Sequence, residues 1–210
     1  MHLELHRIDG ITDPYLLPAL RIYEQAFPLY EQTTTSSWIE NLLDRSESAR
    51  IFVVALDRES DQVAGMAFYE TCRSVSQPPV VYLWYLCTRV DLRGQGLGRK
   101  IYQMLTERLF ATGARAIVFE VERPDAVLLH GPDAAELAAR RIRWYQRNGA
   151  LLLSNVDYLQ HVDNGLPPTP MYLMIHPQHA LTPEEAFRIM TEEVELKANA
   201  IGPLGLESGT

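Results

Sequence analysis

With 210 residues, 47% of them hydrophobic and 22% charged, the chain has the composition of a soluble globular protein and the length for one domain with a sizeable core. Its formal net charge of −8 argues against a nucleic-acid backbone as partner, because no basic field would attract one, and is compatible with a cationic amine. No secretory pattern opens the chain and no apolar run approaches the ~18 residues of a membrane span, so a cytoplasmic protein without a membrane partner is expected.

In chain order, residues 2–8 (HLELHRI) alternate apolar and polar, which predicts a first strand with Leu3, Leu5 and Ile8 facing a core. Asp13-Pro14 supplies an N-cap and a proline at the first helical position; that helix runs to about Phe27, and Pro28 ends it. Ser36 or Ser37 caps a second helix through Leu43. Residues 51–56 (IFVVAL) and 62–72 pair as a hairpin about a polar turn. Residues 80–87 (VVYLWYLC) read as a buried central strand, and 88–92 as a polar connector. The helix after it carries Leu97, Ile101, Met104, Leu105 and Leu109 at helical spacing, and Gly113 ends it.

Residues 116–121 (AIVFEV) follow at once as a strand, which suggests a right-handed crossover. Asp133 is expected to cap a helix from Ala134 to Asn148, closed by Gly149. Further strands begin at Leu151 and Met171, with a loop over 157–169 between them. Thr182-Pro183-Glu184-Glu185 starts a last helix with Phe187, Met190, Val194 and Ala198 on one face, and the tail from Gly202 is expected to fray. That helix either packs on the core or contributes to a homodimer. Cys72 and Cys87 lie in apolar runs without CxxC spacing, so reduced, buried thiols are expected.

The stretch between the central strand and its helix is Arg93-Gly94-Gln95-Gly96-Leu97-Gly98. Residues without Cβ atoms let the backbone turn tightly and let a ligand approach its N–H groups. The first N–H groups of a helix lack internal partners, and the helix dipole favours an anion there, so the stretch reads as a phosphate cradle. The spacing is neither that of a P-loop nor Gly-x-Gly-x-x-Gly. It is Arg-x-x-Gly-x-Gly, which resembles motif A of the GCN5-related N-acetyltransferase (GNAT) superfamily.

The resemblance covers residues 2–176, with specific motifs at 86–99 and 140–150. It implies a mixed α+β fold, an α/β arrangement whose mostly antiparallel twisted sheet of about seven strands is flanked by helices. In this fold the sheet splays at the acetyl-CoA site. Residues 1–178 would form the acetyltransferase domain, with 179–210 appended as helix and tail. Acetyl-CoA would be the co-substrate. Arg93, Gly94, Gln95, Gly96, Leu97, Gly98 and Arg99 match the pyrophosphate loop, and Leu86, Cys87 and Thr88 the segment that pairs with the pantetheine arm. Val90 replaces the usual proline of the connector. Arg93 itself reads either as a phosphate contact or as a solvated loop arginine.

Residues 140–150 (RRIRWYQRNGA) resemble the family's late helix, which often ends in tyrosine, three residues and glycine. Tyr145 matches the phenol that protonates the leaving thiolate, and is otherwise a helix-packing tyrosine beside Trp144. Ala138 stands where the family often has an asparagine that touches coenzyme A, so that contact is missing or supplied elsewhere, for which Asn148 is the candidate. A primary amine is mostly protonated at neutral pH and needs a base. Glu120, Glu122 and Glu31 are candidates; Glu120 leads, because AIVFEV is otherwise apolar and burial raises a carboxyl pKa. Tyr158 and His161 read mainly as loop residues. The histidines are too scattered for metal-ligand spacing, so no metal is expected. The function expected is acetyl transfer to an amine, a small molecule in preference, by direct attack. The rival is a non-catalytic acyl-CoA-binding module of the same fold.

Overall fold

Residues 51–56 carry six apolar side chains in a row, and a strand can bury such a run only where both its faces are covered. The computed structural model, which describes residues 2–32, 50–72, 77–127, 131–161, 165 and 167–209, shows how that is done. The helix expected over 36–43 lies outside the described residues. The chain forms two compact units. One comprises Met1–Thr71, Leu83–Leu109 and Val162–Leu166, and the other Cys72–Tyr82, Phe110–His161 and Pro167–Thr210.

In the first unit, β1 (Leu3–Arg7), β2 (Arg50–Asp57) and β3 (Gln62–Cys72) pair antiparallel in that order, and the second half of β4 (Val80–Thr88) lies beside β3. Alternation sorts the side chains between two helices. Phe52, Val54 and Leu56 of β2 join Leu16, Ala19, Ile22 and Tyr23 of α1 (Leu16–Ala26). Ala55, from the alternate set, joins Leu97 and Ile101 of α2 (Leu97–Ala111). On β3 the phase changes at a bulge: Leu56 faces Val63 but Ala55 faces Gly65, leaving Ala64 as the extra residue. Val63, Met66 and Phe68 therefore share the α1 cluster while Ala64 joins the α2 cluster.

In the second unit, β5 (Ala116–Glu122) pairs parallel with Val80–Tyr82 of β4, as the crossover required, and antiparallel along its whole length with β8 (Thr169–Pro177). β8 also pairs with β7 (Leu159–Gln160) and with β6 (Leu151–Asp157), and β6 pairs with β9 (Asn199–Glu207). Ala116 and Val118 enter a cluster with Leu153, Leu173, Ile175 and Met190, whereas Phe119 packs its ring 4.4 Å from that of Tyr145 on α3 (Pro132–Arg147). Mixed α+β with a mostly antiparallel sheet and flanking helices is what was expected.

Several expectations are corrected. The described residues hold nine strands where about seven were expected. Two of the additions are short or irregular: β7 has two residues, and β9 contains Gly202, Pro203 and Gly205. Proline and glycine discourage interior strands but are tolerated at an edge, and β9 ends the strand order. The tail is therefore paired, not frayed. A register break opposite Asn155, which has φ 61° and donates its amide to the Pro203 carbonyl at 2.5 Å, takes up the residues that cannot continue the ladder.

The last helix is also shorter than its apolar period suggested. α4 (Pro183–Arg188) starts on the expected Thr182–Glu185 capping box, then widens into a π-turn over Ile189–Glu193. Ala186, Ile189 and Met190 are fully buried in the second unit's own cluster, so this segment packs on its own chain; burial of Ile189 and Met190 contributes about 1.5–3 kcal/mol each. α3 begins at Pro132, with Gly131 at the cap, rather than on Asp133.

Gly149 closes α3 at φ 96°, and a Cβ there would lie 2.9 Å from Nε2 of His176, a side chain held below the usual histidine range by burial. Gly113, also at φ 96°, has open space around the same position. Gly113→Ala should cost only the left-handed backbone term, about 1–2 kcal/mol, and Gly149→Ala about 2 kcal/mol more, read as midpoints of urea unfolding.

Candidate functional site

The first unit carries the glycine turn. After β4 the chain makes a single 3-10 turn (Val90–Leu92), passes Arg93–Gly96 and enters α2 at Leu97. Val90 leaves the connector without the stiffness of proline, and hydrogen bonds supply it instead. The Arg89 N–H donates to the carbonyl of Ala64, the bulged residue of β3, at 3.0 Å. The Arg89 guanidinium donates to both Asp91 carboxylate oxygens (2.8 and 3.0 Å) and to Gln62 at 2.9 Å.

Gly94 and Gly96 adopt φ 79° and 76°, the left-handed region that other residues enter only with strain. A Cβ at either position would meet no heavy atom within 4 Å, so the turn is open on the side where side chains would stand. The Gly96 carbonyl accepts from the Lys100 N–H at 3.2 Å, the first bond of the helix. The N–H groups of Leu97, Gly98 and Arg99 thus sit in the first turn, where no earlier helical carbonyl faces them. Gly98 is part of α2, so the conformational demand falls on two glycines of the three. Arg93, Arg99 and Lys100 are exposed around this helix start.

Beneath the turn, Cys87 is buried, and burial pushes its thiol up to about 12, with the nearby Arg93 guanidinium drawing it only partly back. A thiol raised in this way is disfavoured as a thiolate, which argues against an acyl-accepting role for Cys87. Gly65 is the residue here that sequence reasoning missed. A Cβ on it would stand 2.7 Å from the Cys87 carbonyl and 2.8 Å from Cδ1 of Ile101, so its bareness lets β3 approach the end of β4 and α2 closely. Glycine in a strand is the signal that was available. Glu31, a base candidate, is buried in a 3-10 turn (Leu29–Glu31) whose last carbonyl accepts from the Tyr85 hydroxyl at 3.0 Å.

The second unit holds the other candidates. Along β5 only Glu120 keeps partial solvent access; the residues on either side are buried. Its Oε1 accepts from the Tyr82 hydroxyl at 2.6 Å and from the Tyr158 hydroxyl, and its Oε2 accepts from the Gln160 amide. Burial pushes the Glu120 carboxyl up, and the Tyr158, Tyr82 and Gln160 donors pull part of that rise back. The same arrangement raises both phenols, chiefly by burial, with the carboxylate adding to it. Tyr158 is therefore built into this cluster and not a bland loop residue. Tyr82 and Gln160, 38 and 40 residues from Glu120, left no mark in the sequence that would join them to it.

Glu122, on the same strand, is buried and accepts from Arg141 of α3 at 2.6 Å. Four residues on, Tyr145 packs at a tilt against Phe119, and its ring lies 4.9 Å from the Trp144 ring. Phe119 and Glu120 are consecutive, so their side chains leave the strand on opposite sides. Asn148 donates its amide to the Trp144 carbonyl at 2.7 Å and so caps α3. No cluster of metal-ligating side chains occurs among the described residues. No described helix is long and apolar enough to cross a membrane.

Residues 16–130 match the acetyltransferase (GNAT) family. Comparison with curated proteins finds no match. Among solved structures, one described as an acetyltransferase from the GNAT family from Bacteroides thetaiotaomicron is 26% identical, with a TM-score of 0.65 over 90% of this chain and 97% of that one. A Bacillus subtilis acetyltransferase in complex with CoA (14% identical, TM-score 0.55, 85% and 100% covered) has the same fold. So does the ribosomal-protein-S18-alanine N-acetyltransferase of Escherichia coli (18%, 0.55, 86% and 96%). With more than half of its length matched and this fold, the chain belongs to the acetyltransferase (GNAT) family, N-acetyltransferases that draw on acetyl-CoA.

Proposed function

We propose that this protein acetylates the amine of a small molecule by direct attack on acetyl-CoA, with its glycine turn holding the coenzyme's diphosphate and Glu120 taking the amine's proton. The observation that carries the reading is the pair of left-handed glycines, Gly94 and Gly96, open at the start of α2. The turn fits a diphosphate. It is exposed, the helix dipole is positive there, first-turn N–H groups are available, and the exposed Arg93 and Arg99 add positive charge. When bound, the coenzyme supplies an acetyl group already activated as a thioester. Leu86, Cys87 and Thr88 at the end of β4 would hold the arm through main-chain groups, as the family resemblance implies.

Glu120 supports the role of base on two counts. It is the one residue of β5 that solvent still reaches, and burial raises its basicity toward neutral pH. Tyr145 is proposed as the proton donor to the departing thiolate; its phenol sits on a buried face of α3 held by packing against Phe119 and, one helical turn earlier, by the Arg141–Glu122 pair. Asn148 is proposed as a coenzyme contact through the amide atoms not spent on Trp144. The acidic charge of the chain supports a cationic acceptor, and Glu120 adds a local anion.

The turn is tested by calorimetry with coenzyme A. Gly96→Val should weaken binding tenfold or more, about 1.4 kcal/mol, while the fold remains. No binding by the wild-type chain at millimolar coenzyme A would remove the reading. The base is tested by thiol release from acetyl-CoA across a panel of small amines. Because the carboxyl pKa is raised and the ionised form is the active one, the rate should rise with pH through a limb above the ordinary carboxylate range of about 4.3, and Glu120→Gln should abolish that limb and lower the rate about a hundredfold. Coenzyme binding without thiol release for any amine would instead favour the non-catalytic acyl-CoA-binding module.

A further inference from the structure

A carboxylate offers about four lone-pair directions, two on each oxygen. On Glu120 they are not used evenly. Among the described residues, Oε1 accepts from two phenols, Tyr82 of β4 and Tyr158, and Oε2 accepts from one amide, that of Gln160 on β7. Oε1 is therefore saturated, and the remaining direction belongs to Oε2. The two tyrosines are buried, at 6% and 7% exposure, so Oε1 is also the oxygen set among buried groups.

From this geometry we infer that Oε2 of Glu120 is the atom that receives the acceptor amine's proton, and that Gln160 is the positioning residue that aims it. The inference rests on the assignment of Glu120 as base made above. In the step, an N–H bond of the amine breaks, its electron pair stays on nitrogen for attack on the thioester carbonyl, and the proton bonds to Oε2. Gln160 takes no proton itself and acts through Glu120. Its amide holds Oε2 in place and, by donating to the ionised carboxylate, sets how basic that oxygen is. Tyr82 and Tyr158 prevent the alternative, protonation at Oε1.

Among the described residues, the titratable groups that face Glu120 are few. Tyr82 comes from β4 and Tyr158 from the turn before β7, and β8 presents Leu173 as its paired residue. Within β5, Glu122 lies two residues on and is tied to Arg141. A change in the Glu120 midpoint on altering Gln160 is therefore read against two phenols whose pKa values lie far above the range scanned.

The test uses the full chain with glutamate labelled at the δ carbon with 13C and glutamine side chains with 15N, the Glu120 resonance being assigned by its loss in Glu120→Gln. In the wild type, the Gln160 amide proton should shift with the same midpoint as the Glu120 carboxyl carbon. Gln160→Met, close to isosteric and without a donor, should raise that midpoint by about one pH unit. With an amine found in the panel, it should lower kcat about tenfold with KM little changed, and move the rate limb upward by the same shift. A Gln160 amide that ignores the Glu120 titration, or a Gln160→Met enzyme with unchanged limb and kcat, overturns the inference while an inactive Glu120→Gln still upholds the base. A fully active Glu120→Gln overturns the base assignment, and this inference with it.

Discussion

A strand sends successive side chains to opposite faces, and in this protein both faces of the principal strands are buried. Most of the arrangement follows from that constraint. On β2 the two sets of side chains serve two helices, so α1 and α2 are each seated by alternate residues of one strand. On β5 the same rule parts Phe119 from Glu120. One continues into the packing of α3 and Tyr145, the other into a cluster of phenols and an amide.

Where the strand rule is broken, it is broken next to the glycine turn. The bulge at Ala64 puts an extra residue into β3, and its carbonyl receives the Arg89 N–H. Gly65 beside it permits a backbone approach that any side chain would forbid. Together they fix the end of β4 and the connector, so that the two left-handed glycines need only turn the chain into α2. Left-handed backbone costs about 1–2 kcal/mol in a residue with a Cβ, and glycine avoids that cost at both positions. The open side of the turn is thus a consequence of the backbone path and not of missing bulk alone.

The environment of Glu120 shows opposing effects of similar kind. Removing a carboxylate from water raises its pKa, and each donor lowers it again. At Glu120 both effects act, burial being the larger, and the residue keeps partial exposure in an otherwise buried strand.

Much of this was legible in the chain itself. The apolar runs at 51–56, 80–87 and 116–121, the helical period from Leu97 and the capping box at Thr182 are local patterns, and local hydrogen bonding and burial periodicity decide them. Arg93-Gly94-Gln95-Gly96 declared a turn for the same reason, since backbone freedom is a property of single residues. The strand β9 was not legible: Gly202, Pro203 and Gly205 argue against a strand until an edge partner, β6, is known to lie beside them. Nor was the extent of the last helix, where burial of Ile189 and Met190 against the second unit's cluster outweighs the helical period. Glu120 could be singled out as a lone acid among apolar residues, but its partners could not. Tyr82, Tyr158 and Gln160 reach it through strand pairing and chain reversal across 38 to 40 residues, and sequence distance carries no information about such contacts. The sequence by itself determined which segments turn, cap and bury. Which oxygen of which carboxylate meets which donor was decided only when the strands paired, because that depends on register, and register is a property of the whole sheet.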